Sequence, residues 1–443
     1  MIAALLIAAD GVPTAAGGGD GVPIGFRIFL AVLALGGLAI AAGTPFSRRL
    51  HRNRAVAALS AGGWFAVLAG IALGPVGLDL VDEGIFSGLR PLVVVALGWV
   101  GLIVGLQARW KILQAVPGVI WTWTVKDAAM SALVAASLGA IVLGLAVENA
   151  FAHPAALFAP LATLAAANLS WAPETRSLRV ELSDRTRRIA TLIAAAAGLS
   201  AIVAIALAGL ASLPVRADGI ASTLDPLLGG RRLAVLLATA AVVGIGARFL
   251  LSMVERDSPQ MLVVVVGFVC IVAGVADAAG ISPLLSGLLA GVVLANLSTG
   301  PLRNLESVLH RGETAGGMLL YGFAGVLVSV DSGWAPLALG FAIAATRILL
   351  KPFTLGQSMR LAREELPTNT PLRLASVRQA PLAVAVAIAL VLVEDSTLAR
   401  TLLTAVVIAG LASGLAAPLQ SWQQRSSTAP TSDSKSDLNE ATS

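Results

Sequence analysis

The sequence predicts an all-α, polytopic membrane protein with about 13 transmembrane helices. Its composition is 57% hydrophobic and only 12% charged, which excludes an ordinary soluble domain. Apolar runs of roughly 20 residues recur along the whole chain, and each is long enough to cross a bilayer. Only short loops stand between these runs, and no hydrophilic domain is inserted.

The predicted spans follow one another from residue 26 to residue 419. They lie at 26–46, 55–78, 89–106, 116–147, 154–173, 189–213, 233–254, 259–279, 282–297, 315–330, 334–355, 375–393 and 398–419. The fourth is over-long, so its Trp-rich first part is interpreted as an interfacial stretch that leads into a span from about Ala128. Residues 1–25 are expected to be an extracellular segment. Residues 420–443 are polar and are expected to be a disordered cytoplasmic tail.

Loop charge predicts the orientation. Arginines cluster after the first, third, fifth, ninth and eleventh spans, for example within 48–54 and 176–188. The alternate loops are acidic or sparse, although the loop after the sixth span mixes both signs. Because cytoplasmic loops carry the basic excess, we expect a cell (inner) membrane protein with its N-terminus outside and its C-terminus in the cytoplasm. The net charge of +5 is attributed to these loops, and no nucleic-acid binding is expected.

Two apolar spans are interrupted by polar residues and proline. The fifth passes through Asn168 and Ser170 to Pro173, and the twelfth contains Arg378 shortly before Pro381. Proline removes a backbone donor, and a freed carbonyl at membrane depth is tolerated only beside a cavity or against protein. A kinked structural helix explains either break alone. Two breaks in corresponding positions of two halves indicate a transporter's binding site.

An internal repeat supports this interpretation. Residues 68–74 and 289–295, in the second and ninth spans, share Leu-Ala-Gly, a β-branched residue and Leu. The two proline breaks, in the fifth and twelfth spans, have the same offset of seven spans. An odd offset makes the matched segments cross the membrane in opposite senses. The sequence therefore predicts inverted repeats of six helices around a linking seventh.

The chain offers little to an enzyme or a metal site. Its single cysteine, Cys270, lies mid-helix, and its three histidines are far apart in sequence. No phosphate-binding loop or nucleophile elbow occurs. We expect no cofactor and no metal, and the transporter classes remain.

The segments 68–78, 97–106 and 280–294, followed by Arg347, resemble the monovalent cation:proton antiporter superfamily, of the sodium/hydrogen exchanger type. The resemblance covers residues 26–419. It implies exchange of a monovalent cation, sodium or potassium, for protons by alternating access. It also implies a homodimer, with a dimerisation domain beside a core domain in which the broken fifth and twelfth helices cross. Small residues such as Gly37, Gly70 and Gly74 offer faces for that dimer.

The sequence departs from the superfamily in the sixth span. The resemblance implies an ion-binding Asp there, but residues 189–205 contain no carboxylate and Ser200 stands at its place. A hydroxyl ligates a cation but does not release a proton near neutral pH. Proton coupling is therefore in doubt. A transport-incompetent scaffold or sensor, and an anion or neutral-solute carrier, remain as alternatives.

Charged residues within spans cost about 2.5–3.5 kcal/mol each on insertion scales and usually have a role. Arg347 matches a basic residue of the superfamily and is expected either to neutralise helix C-termini at the breaks or to bind an anion. For Lys351 we prefer a side chain that reaches the cytoplasmic interface. Asp127 and Glu174 are candidate proton carriers. The preferred alternatives are an interfacial pair of Asp127 with Lys126 and a solvated loop position for Glu174.

Overall fold

A computed structural model describes residues 37, 63–78, 80–81, 83–116, 118–146, 154–170, 184–218, 221–253, 259–297, 309, 316–329, 333–361, 379–394 and 396–427. The predicted first span, the N-terminal segment, Pro173, Glu174 and Arg378 lie outside these residues. The elements in chain order are α1 Trp64–Leu73, α2 Glu83–Gln107, α3 Trp110–Ala115, α4 Gly118–Ala146, α5 Pro154–Leu169, α6 Asp184–Ser212, β1 Val215–Asp218, β2 Ala221–Leu224, α7 Pro226–Met253, α8 Pro259–Ala278, α9 Pro283–Leu297, α10 Gly316–Val326, α11 Ala335–Leu361, α12 Pro381–Glu394 and α13 Thr397–Ser427.

The helical fold class is confirmed. The second to the thirteenth predicted spans each coincide with one of the described helices, namely α1, α2 and α4 to α13. In the described part of the chain, 5 helices are long and apolar enough to cross a membrane by length and composition. Large apolar side chains such as Leu133, Leu145 and Val242 are exposed on their helices, as expected where lipid surrounds the protein. The full number of spans and the orientation stay predictions.

Several helix boundaries differ from the sequence prediction, and two of these differences concern Asp127 and the expected tail. The over-long fourth span, predicted at 116–147, forms one continuous helix, α4, and the short α3 precedes it, so Asp127 lies inside a long helix. The final helix continues to Ser427, past the predicted end of its span at Leu419 and into the segment expected to be a tail.

The loop after the sixth span contains a short antiparallel hairpin that the sequence did not predict. Strands β1 and β2 pair from Val215 opposite Leu224 to Asp218 opposite Ala221. The Asp225 carboxylate then caps α7, accepting hydrogen bonds from the next backbone amides. Arg232 donates to the carbonyls of Leu213 and Val215 at 3.0 and 2.7 Å. Asp225 and Arg232 of this loop therefore have structural partners.

The helices form two packed groups. Helices α2, α7, α8 and α9 pack on one another, and α4, α5, α6, α11, α12 and α13 form the second group. Between them, α6 and α12 contact α2 and α9. The two broken helices, α5 and α12, pack against each other inside the second group, which places both breaks in the same region. We call α2, α7, α8 and α9 the scaffold group and the other six helices the core group.

Close glycine packing repeats with the symmetry that the sequence predicts. A side chain at Gly70 of α1 would strike the backbone of Gly322 on α10, and one at Gly291 of α9 would strike that of Leu102 on α2. Gly70 and Gly291 are 221 positions apart (291 − 70), and so are Gly101 and Gly322 (322 − 101). The packed pair α1–α10 thus corresponds to the pair α9–α2, as an inverted repeat requires.

This packing also corrects one sequence interpretation. Gly70 and Gly74 were expected to offer a face to a second copy of the chain. Instead, they pack against the backbone of Gly322 and Val326 within the same chain. These two glycines are not available to a second copy, because α1 and α10 approach so closely that no side chain fits between them. Gly37, in contrast, has open space around its Cα.

Candidate functional site

Helix α5 ends at Leu169, inside the fifth predicted span. The Ser170 amide still donates to the Ala166 carbonyl at 3.2 Å, and the Ser170 hydroxyl turns back to the Ala167 carbonyl at 3.0 Å. The last carbonyls of a helix have no partner within it, and they carry the negative end of the helix dipole. Asn168 and Ser170 are fully buried, so water does not solvate this helix end as it would at a surface.

Arg347 of α11 satisfies these carbonyls. Its guanidinium donates to the carbonyls of Ala167 at 3.1 Å, Asn168 at 2.8 Å and Ser170 at 2.8 Å. The side chain is fully buried, at 0% exposure. The planar guanidinium suits several acceptors at one helix end, and its charge complements the dipole there. Of the two roles that the sequence left open for Arg347, these contacts are those of a helix C-terminal cap.

The second break lies directly beside the first. The amide of Ala380 donates to the Ser170 carbonyl at 3.5 Å, and α12 then begins at Pro381, where the missing amide of proline costs nothing. The side-chain amide nitrogen of Gln379 donates to the Val406 carbonyl on α13 at 3.3 Å. The Ser170 carbonyl thus accepts hydrogen bonds from both the Arg347 guanidinium and the Ala380 amide, which joins the two interrupted spans at one point.

A buried ion pair lies one helical turn along α11 from Arg347. The Lys351 ammonium contacts Oδ2 of Asp127 on α4, and both side chains are 3% exposed. Arg347 also interacts electrostatically with Asp127. The prediction that Lys351 reaches the cytoplasmic interface is wrong, because this carboxylate holds the ammonium inside. The preferred pairing of Asp127 with Lys126 is also wrong, since Lys126 points to the exterior of α4 while Asp127 is buried.

Several buried oxygen atoms on α4 and at the end of α5 have no hydrogen-bond partner. The Asn168 side chain donates from Nδ2 to the Ser131 carbonyl at 3.4 Å, but its Oδ1 has no partner. The hydroxyls of Ser131 and Thr124 are likewise buried and unpaired. Thr124, Asp127 and Ser131 are spaced three and four residues apart, so they share one face of α4. Polar residues therefore stand one turn before and one turn after Asp127 on a buried face of α4.

Ser200 lies buried on α6, at 2% exposure, and α6 packs against both α4 and α5. The helix carries no ionisable side chain among residues 195–212. The buried charges nearest the end of α5, those of Asp127, Arg347 and Lys351, stand instead on α4 and α11. Pro381 has an exposed ring at the start of α12. The roles of Pro173, Glu174 and Arg378 stay predictions, because these residues lie outside the described part of the chain.

The sequence interpretation missed Ser131 and Thr124. Their spacing from Asp127 was available, because polar residues at positions 124, 127 and 131 form a stripe in an otherwise apolar span. The sequence pattern did not reveal which residue pairs with Asp127, since Lys351 stands 224 positions away.

The chain matches a known protein family over most of its length. Residues 62–422 match the family described as "Sodium/hydrogen exchanger, transmembrane". The chain belongs to the sodium/hydrogen exchanger family. The superfamily resemblance read from the sequence is confirmed, and the exchanger is a multi-pass transmembrane protein of ion transport. No curated protein sequence matches the chain.

The fold of this exchanger is similar to a solved structure, that of the sodium proton antiporter MjNhaP1 from Methanocaldococcus jannaschii at pH 8. The TM-score is 0.58 at 13% sequence identity, and the likeness covers 90% of this chain and 99% of that one. At this identity the likeness shows the fold alone. The exchanger architecture is therefore present, while the residue expected to carry the ion, at position 200, is a serine.

Proposed function

We propose that this exchanger is a monovalent cation/proton antiporter whose ionisable site has moved from α6 to α4, with Asp127 as its carboxylate. The observation that carries the proposal is the buried pair of Asp127 and Lys351 beside the two helix breaks. Burying two charges is expensive, and a buried ion pair is often no more stable than apolar packing in its place. Ionisable groups inside a membrane protein are functional-site candidates for this reason.

Charge balance suggests how the site couples cation to proton. With Lys351 protonated, its ammonium occupies one side of the Asp127 carboxylate. A cation that binds Asp127 takes the place of this ammonium, and an unpaired ammonium is costly in the interior. Release of one proton from Lys351 keeps the net charge of the site unchanged when one monovalent cation enters. Alternating access of this state to the two sides of the membrane then exchanges one cation for one proton.

Arg347 has a different part in this proposal. It stays bound to the three carbonyls at the end of α5 and holds that helix end in place. Because the Arg347 guanidinium already donates to carbonyl oxygens, this region is poorly suited to bind an anion. This weighs against the anion-carrier alternative. We infer that the core group moves against the scaffold group during transport. The contacts of α6 and α12 with α2 and α9 form the boundary across which it moves.

Several finer points belong to the same proposal. We propose sodium or potassium as the cation, a transport protein rather than an enzyme, and a homodimer in the cell membrane. We also propose an external N-terminus and a cytoplasmic C-terminus. Loop charge supports the orientation, and family membership supports the cation and proton. Native mass spectrometry in mild detergent tests the dimer, and a C-terminal alkaline phosphatase fusion that is active in the periplasm contradicts the orientation.

The test is pH-gradient dissipation in vesicles that contain the purified protein, with sodium, potassium and lithium added in turn. We expect a cation-dependent proton release in the wild type and its loss in Asp127→Asn. Asp277→Asn is the matched control. Asp277 also forms an ion pair, with Arg90 at 2.9 Å, but that pair lies in the scaffold group and is partly exposed.

Three outcomes count against the proposal. Robust exchange that Asp127→Asn leaves unchanged shows that the cation binds elsewhere, with Glu174→Gln the next variant to examine. No exchange with any of the three cations favours the alternative of a transport-incompetent scaffold or sensor. Equal loss in Asp127→Asn and Asp277→Asn indicates a general effect of removing an ion pair.

A further inference from the structure

Uncoordinated oxygen atoms line the region beside the Asp127 carboxylate. Oδ1 of Asn168 and the hydroxyl oxygen of Ser131 are both buried, and neither has a hydrogen-bond partner. An unpaired buried polar atom costs free energy, and it is uncommon enough in native structures to require an explanation. One of these atoms lies a helical turn from Asp127 on α4, and the other is on a residue hydrogen-bonded to that turn, which points to a ligand between them.

Helix geometry brings these atoms to one place. Asp127 and Ser131 are spaced i,i+4 on α4, so their Cβ atoms lie about 5–6 Å apart on one face. The Asn168 amide is held against the same turn by its hydrogen bond to the Ser131 carbonyl at 3.4 Å. The unpaired Thr124 hydroxyl lies on the same face one turn before Asp127, on the opposite side of the carboxylate from Ser131 and Asn168.

The chemistry of these groups selects a class of ligand. A carboxylate, a hydroxyl and an amide oxygen are hard oxygen donors, which bind cations without nitrogen or sulfur ligands. The Lys351 ammonium already occupies one side of the carboxylate, so the site binds positive charge in the described state. Of the elements packed against α4, α11 contributes Lys351 and Arg347, whereas α5 and residues 195–212 of α6 contribute no ionisable side chain.

We propose that Asp127, Ser131 and Asn168 together form the monovalent-cation site of this exchanger. The inference rests on the proposed cation exchange and goes beyond it by naming the ligands. Asp127 supplies the negative charge and the other two supply neutral oxygens. The cation and the Lys351 ammonium compete for the carboxylate. The end of α5 at Leu169 serves this site because it lies next to the position where the Asn168 side-chain amide meets α4.

The first measurement is the thermal stability of the full-length protein in detergent at alkaline pH. Lithium, sodium and potassium chloride are titrated at constant ionic strength, with choline chloride as the replacement salt. A ligand that binds only the folded protein raises its melting temperature with concentration. We expect such a rise in the wild type. We expect the half-maximal concentration to increase about tenfold in Ser131→Ala and in Asn168→Ala, because each loses one ligand to a charged group.

Matched variants separate this site from general destabilisation. Ser131→Thr keeps a hydroxyl and should stay near the wild-type affinity. Ser286→Ala removes a buried hydroxyl from α9, in the scaffold group, and should leave cation affinity unchanged. The double variant Asp127→Asn with Lys351→Met lacks both charges, which favours its folding, and it should show no cation-dependent rise.

The outcomes distinguish this inference from the proposed function. A cation-independent melting temperature in the wild type overturns the site. So does exchange in vesicles whose half-saturating cation concentration is the same in wild type, Ser131→Ala and Asn168→Ala, although cation exchange itself then stands. Conversely, a cation-dependent rise that these variants weaken supports the site even where vesicles show no proton exchange.

Discussion

Replacing Asp127 by Asn should destabilise the protein strongly, because it removes one partner of a buried ion pair. Both side chains are 3% exposed, so water screens their interaction far less than that of a surface pair. Breaking a buried pair by removing one partner costs about 3–5 kcal/mol, since the other charge stays buried without compensation. Here the remaining charge is the Lys351 ammonium, which also experiences repulsion from Arg347 one turn away.

A second substitution reveals whether this loss comes from the orphaned charge. Lys351→Met in the Asp127→Asn background removes the ammonium and keeps an unbranched side chain. We expect the double variant to recover most of the loss, to within about 1 kcal/mol of wild type, because neutral replacements of a buried pair are often tolerated. Unfolding by SDS in mixed micelles, followed by circular dichroism, measures the free-energy differences.

The pair of Arg90 and Asp277 is the control for the same assay. Its side chains are 41% and 31% exposed, and surface pairs contribute about 0–1 kcal/mol. Asp277→Asn should therefore change the free energy of unfolding little. The reasoning is refuted if Asp127→Asn is as stable as wild type, or if Lys351→Met fails to restore stability in its background.

Three further substitutions test other parts of the structure. Arg347→Met removes the guanidinium and its charge from three buried carbonyls at the end of α5 and should cost more than about 3 kcal/mol in the same assay, whereas a loss below about 1 kcal/mol would contradict the capping role. Ser200→Asp should increase cation- and pH-dependent flux in vesicles above wild type, because it supplies a carboxylate at the position where the superfamily resemblance implies one; an unchanged flux counts against this. Gly70→Ala should cost about 1–3 kcal/mol, since its methyl group strikes the Gly322 backbone, while Gly267→Ala, with open space around it, should be nearly neutral.

The sequence by itself determined the fold class, the order of the helices, the two breaks and the family. These features are local, because the length of an apolar run and the chemistry of proline act within one span. The repeat was also readable, since equivalent glycines recur at equal offsets. The structure added the packing that these glycines make, and it showed that Gly70 and Gly74 contact their own chain rather than a second copy.

Only the tertiary structure decided which charges meet. The sequence alone suggests that Asp127 pairs with its neighbour Lys126 and that the Lys351 side chain reaches the cytoplasmic interface. The rotation of α4 turns Asp127 inward and Lys126 outward, and the packing of α11 against α4 brings an ammonium from 224 positions away to the carboxylate. A side chain's direction depends on which face of its helix is buried, and that face is chosen by the neighbouring helices. For this reason Ser131 and Asn168 became candidate ligands only when α4 and the end of α5 were seen together.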